Sequence, residues 1–148
     1  VRSSAITSAL MNRLRNDAAL MALTPDGVFF NVAGDSQLGG ASTRYVVVSL
    51  VAAVNVLEFG RVCYQDARYL VEAQLRTNDG NLTPVHDAAE RIDALIGLPN
   101  GTLTIPGFRL MTIYQEEPTE FLEIDAADHS IQIARAGGQY RLFAAPAA

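Results

Sequence analysis

The stretch ARYLVEAQLRT, residues 67–77, constrains the fold of this chain more than any other. Ala67, Tyr69, Val71, Ala73 and Leu75 recur at every second position, with Arg68, Glu72, Gln74 and Arg76 between them and Leu70 as the exception. A period of two puts successive side chains on opposite faces, so the pattern predicts a strand with one buried and one wetter face. Such a strand needs a neighbour for its backbone and a cover for its apolar side. RYVVVSLVAA (44–53), rich in β-branched residues, reads as a second, largely buried strand. The intervening VNVLEFGRVCYQD can extend both into a long hairpin arm that turns near Gly60.

Two helical patterns supply the cover. SSAITSALMNRLRND begins with serines suited to capping and spaces Ile6, Leu10 and Leu14 on one face. Asp17 can cap a short second turn, DAALMAL, which TPDG ends. The stronger pattern follows the NDGN turn at 78–81. Thr83 is placed to cap, Pro84 to start the helix and Gly97 to end it. Val85, Ala88, Ala89, Ile92, Leu95 and Ile96 form its apolar stripe, with His86, Asp87, Glu90, Arg91 and Asp93 facing away. VFFNV (28–32), FRLMTIYQ (108–115), FLEI, SIQIAR and QYRLF read as further short strands. The order predicts an α+β domain over 1–148, an antiparallel or mixed sheet with two helices on one face.

At 148 residues, 49% of them hydrophobic, the chain can bury a core without disulfides or metals. Its longest apolar run, Val46 to Leu57, is too short to span a bilayer. No signal-peptide pattern is visible, and the single cysteine, Cys63, fits a reducing compartment, so a cytoplasmic site of synthesis is expected. All 11 basic residues are arginine, which excludes lysine Schiff bases and the P-loop lysine. Six of the 16 acids, Glu116, Glu117, Glu120, Glu123, Asp125 and Asp128, crowd into one short run. DNA-binding proteins cluster the opposite charge, so direct DNA binding is not expected.

The chemical candidates are weak. Gly137 and Gly138 do not open a helix, as a phosphate loop requires, and lie between two alternating runs; a hairpin turn is the expected role. GDSQL (34–38) resembles the Gly-Asp-Ser-Leu block of a hydrolase family, with Ser36 as nucleophile. That family's Asp-x-x-His pattern is absent, because Ala126 stands three before His129. Cys63, His86 and Asp87 have the residue types of a thiol catalyst, but no spacing joins them. Asp125, Asp128 and His129 lack a fourth metal ligand nearby. No catalytic, cofactor or metal site is expected.

The layout resembles the tail terminator (tail completion) proteins of siphophages. The likeness runs from NDAALMAL through RYVVVSL, ARYLVEAQLRT and HDAAERIDALIGL to GGQYRLF, and covers most of the chain. The resemblance implies a virion subunit that forms a hexameric ring on the head-proximal end of the tail tube. Such a ring stops tube polymerisation and presents a surface to the neck or head-closure proteins. DNA passes through its pore without specific binding, and no membrane is involved. The acids Glu116, Glu117, Glu120, Glu123, Asp125 and Asp128 become candidates to face the pore. Leu57, Glu58, Phe59, Arg61, Arg135, Tyr140 and Arg141 become candidates for subunit contacts, together with the loop 34–43. The competing readings are a neck or head-closure connector and, from another class, a small Ser36-dependent hydrolase.

Overall fold

The structure is a computed structural model that describes residues 3–31, 43–77 and 80–147. Three helices, α1 (Ser3–Arg15), α2 (Ala18–Leu23) and α3 (Thr83–Ile96), accompany five strands. The strands are β1 (Val28–Phe30), β2 (Thr43–Glu58), β3 (Arg61–Thr77), β4 (Phe108–Ile124) and β5 (Gln132–Pro146). They form one mixed sheet in the order β1-β2-β3-β5-β4, with β1 parallel to β2 and every other pair antiparallel. The expected α+β architecture with helices on one face is what the chain adopts. GDSQL and its Ser36, and most of the loop 34–43, lie outside the described residues.

The alternation in 67–77 resolves as read. Ala67, Tyr69, Val71, Ala73 and Leu75 are buried under the helices. Ile6, Leu10 and Leu14 of α1 and Val85, Ala88, Ile92, Leu95 and Ile96 of α3 close over them. Each fully buried side chain of this size contributes roughly 1.5–3 kcal/mol through loss of apolar surface to water. Polar ties hold the layers in register. Thr7 Oγ1 and the buried Tyr69 hydroxyl share a 2.9 Å hydrogen bond between α1 and β3. Asp17 accepts the Leu20 N–H at 2.8 Å, capping α2 as expected, and its carboxylate also takes two hydrogen bonds from Arg91 of α3, at 2.8 and 2.7 Å. Those bonds hold the Asp17 carboxyl below the usual carboxylate range, against the opposing pull of burial.

Three local expectations are corrected. Gly137 and Gly138 are not a turn: they lie inside β5, with SIQIAR and QYRLF merged into one continuous strand. Glycine is needed because a Cβ on Gly137 would run into the backbone of Val71 and Glu72, and one on Gly138 into the Gln115 side chain. FRLMTIYQ and FLEI are likewise one strand, β4, because Pro118 sits on an edge strand where its missing N–H breaks no ladder. At α3 the capping position falls on Leu82, with no side-chain bond, and Thr83 is already helical. Gly97 does follow the helix, but with extended φ of −92°; its role is to leave room for Asp93, which a Cβ would strike.

Candidate functional site

β2 and β3 are longer than the sheet that supports them. Pairing of β3 with β5 begins at Gln65, so residues 55–64 project as a two-stranded arm. The hairpin expected to turn near Gly60 does so, with Glu58 opposite Arg61 and positive φ at both Phe59 (48°) and Gly60 (75°). Glycine accepts that geometry freely, whereas a residue with a Cβ loses roughly 1–2 kcal/mol. Large apolar side chains are exposed from the base of the arm to its tip, among the polar Asn55, Glu58 and Arg61: Val54, at the base, is 57% exposed, Leu57 62% and Phe59 97%. Glu58 accepts a 3.3 Å hydrogen bond from Cys63 Sγ; that bond, chiefly, pushes the thiol above its ordinary pKa. Cys63 is thus poorly suited to act as a nucleophile, and His86 is engaged elsewhere. Arg61 is exposed and forms no ion pair among the described residues.

The acidic run is largely paired. On the sheet face away from the helices, Arg141 donates two hydrogen bonds to Asp66, at 3.0 and 2.7 Å, and lies 3.4 Å from Glu116. Glu116 also accepts from Gln139 at 3.1 Å and has Arg68 at 3.5 Å, a charge contact. Arg135 meets Glu123 at 2.8 Å, and Arg76 reaches Asp125 at 4.0 Å. Thr119 donates to Glu72 at 3.2 Å, in the row where Gly137 lies between them. Hydrogen bonding from Arg141, above all, holds Asp66 below the usual carboxylate range. Glu120 points to the helix side and meets His86 at 3.3 Å. Asp128 accepts from both the hydroxyl and the N–H of Ser130, which lowers its pKa. Of the six, Glu116, Glu123 and Asp125 meet an arginine in an ion pair, whereas Glu120 meets only His86.

On the helix side, α3 does not reach fully across to β4. A groove of about 370 Å³ is left, lined by His86, Glu90, Asp93, Pro118, Glu120 and Gly137 among others. Its floor is low because β5 carries Ala136 and Gly137 there. Tyr140, grouped above with surface contacts, is only 1% exposed and belongs to this wall's interior. Its hydroxyl donates to Asp93 at 3.1 Å and accepts from Gln115 at 3.4 Å. Burial, reinforced by the Asp93 charge, raises the Tyr140 hydroxyl far above the phenol range.

No group of three metal-ligating side chains occurs among the described residues, and no helix among them is long and apolar enough to cross a membrane. The structure brings together Arg141, Arg68 and Glu116, and His86 with Glu120; it keeps Cys63 apart from His86. Asp66, Glu72, Asp93 and Gln115 were missed as members of these networks, since only strand register reveals their partners.

No protein-family profile matches the chain, and no curated protein matches it in sequence. Its fold is shared with solved structures. A chain from the virion of a native gene transfer agent (GTA) particle superposes with a TM-score of 0.62 at 19% identity, covering 98% of each chain. A second solved chain superposes with a TM-score of 0.54 at 17% identity, covering 95% of this chain and 94% of the other. The α+β architecture is therefore shared end to end with a protein that is part of a virion.

Proposed function

We propose that this chain is a structural virion protein, a tail terminator whose subunits form a hexameric ring on the head-proximal end of a phage-type tail tube. The observation that carries the reading is the match in fold to a chain of the GTA virion over 98% of both lengths. The layout of the sequence supports it independently. So does the projecting arm, since a closed ring requires two different contact patches on each subunit and exposed apolar surface is the usual material of such patches. In this reading the ring ends tube growth, joins the tail to the neck, and lets DNA pass without gripping it. The net charge of −5 suits that passage, because phosphate-binding arginines would retard it. Pairing with arginines leaves the acidic run as a mixed lattice, of which the open-face members Glu116, Glu117 and Glu123 are placed toward the pore.

Native mass spectrometry of the protein, alone and with purified tail tubes, tests the reading. A closed ring, free or on tube ends, together with tubes of arrested length, is the expected result. A monomer that ignores tubes overturns it. A ring that binds portal or head-closure complexes and leaves tubes unbound would instead assign a neck connector.

A further inference from the structure

We propose that the ring closes by insertion of one subunit's hairpin arm into the groove between α3 and the β4–β5 pair of the next, with Phe59 over the small-residue floor and Arg61 against Glu90 and Glu120. The inference rests on the ring reading above and names its contact.

Phe59 is the first observation. An aromatic residue stands at a positive-φ turn position and is 97% exposed, so its ring makes little contact with the described residues to offset the backbone strain. Asparagine or glycine would hold the same turn without strain. An exposed aromatic beside an exposed arginine is the composition of an interface anchor. Leu57 in the arm and Val54 at its base extend the exposed apolar surface beside this pair.

The groove is the second observation. Its floor is shallow and uncharged at Ala136, Gly137 and Pro118, and its rim carries Glu90, Asp93 and Glu120. Asp93 is already engaged by Tyr140, and Glu120 by His86, whose charge is absent when the ring is neutral. Glu90 is exposed and forms no ion pair among the described residues. The rim thus offers acceptors and the arm tip a free guanidinium, with Glu58 turned to Cys63. Charge and apolarity match together, and Arg is the side chain best suited to a carboxylate-lined cleft.

Distance rules out self-insertion. The groove lies level with Glu72, the partner of Gly137. The arm tip at Arg61 is roughly 35 Å away along β3 at the rise of an extended strand. The arm and groove are therefore different patches of one molecule, the heterologous arrangement that generates rings.

The test uses the full chain with native mass spectrometry as readout and circular dichroism to verify folding. Phe59→Ser and Arg61→Glu should each lower the ring population at least tenfold, as should Glu90→Arg combined with Glu120→Arg. Combining Arg61→Glu with Glu90→Arg should restore at least part of it. In a Cys63→Ser background, Arg61→Cys with Glu90→Cys should yield a disulfide-linked ladder of subunits under oxidation. A wild type that never forms rings overturns the ring reading, and this contact with it. Wild-type rings with unaffected variants and no ladder overturn the contact alone. Intact variant rings that no longer hold tail tubes would assign the arm to the tube and likewise overturn it.

Discussion

β2 behaves as two different strands joined end to end. At the root, Val46 and Val48 pair with Ala73 and Val71, and all are buried beneath the helices. Toward the tip, Val54 and Leu57 continue β2 with similar apolar chemistry, and more than half of each is in water. Pairing with β3 continues through both halves, with register shifts between Leu50 and Ala52 and between Val56 and Leu57. Val54, opposite Asp66, lies on the face away from the helices, and Leu57 lies beyond the end of β5, so neither has the cover that the root has. Apolar β-branched sequence therefore specifies the strand, while its neighbours decide whether the strand is core or surface.

That contrast can be broken at the root with the largest effect. Ile92→Ala on α3, which packs over the root, removes a fully buried side chain and should cost about 2–5 kcal/mol, seen as a lower midpoint in urea unfolding. A loss under 1 kcal/mol would mean that the helix layer is not the cover described. Tyr140→Phe deletes the hydroxyl between Asp93 and Gln115 and should cost about 0.5–1.5 kcal/mol in the same measurement.

Acid titration sharpens the comparison through the ion pairs of the sheet and the helix layer. Asp17 and Asp66 have folded pKa values depressed by hydrogen bonds from Arg91 and Arg141. A depressed folded pKa contributes stability that is complete above the unfolded value of about 3.9 and is lost as pH falls through the folded value. Thermal midpoints should thus hold steady from neutral pH to about 5 and fall below about 4. Asp66→Asn should lower the neutral-pH midpoint and flatten the acid limb; an unchanged limb would show that the pair does not set it.

The smallest effects belong to the tip. Val54→Ser and Leu57→Ser should change subunit stability by no more than about 0.5 kcal/mol, because the side chains gain little on folding. A large loss in the isolated subunit would show that the arm folds back onto the body. Phe59→Asn should be neutral or slightly stabilising, since asparagine tolerates the positive φ.

How much of this was legible beforehand follows the range of each interaction. The stripe of α3, the alternation in β3 and the turn at Gly60 are local signals, and each appears where the sequence places it. The glycine pair was misread because two glycines between alternating runs look alike in a turn and at a crowded strand crossing. What distinguishes them is the approach of Val71 and Gln115, both distant in sequence. Pro118 misled in the same way, as an edge position is a property of the sheet. The acidic run could be counted but not paired: Arg68, Arg76, Arg135 and Arg141 reach it only through the β3–β5–β4 register. The groove beside α3 has no signature along the chain, since it is space left between elements.

The order of the strands also sets a folding itinerary. β2 with β3, and β4 with β5, are hairpins between chain neighbours and can close early. The seam between them, β3 against β5, pairs Gln65 with Ala144 and Thr77 with Gln132 across an intervening helix. Closing that seam requires the longest loop in the sheet, so it is expected to be the slow step. Substitutions at Ala73 and Ala136, which face each other there, should slow refolding in stopped-flow experiments, whereas substitutions in the arm should leave the refolding rate untouched. Equal slowing at both places would show that the arm, too, is part of the nucleus.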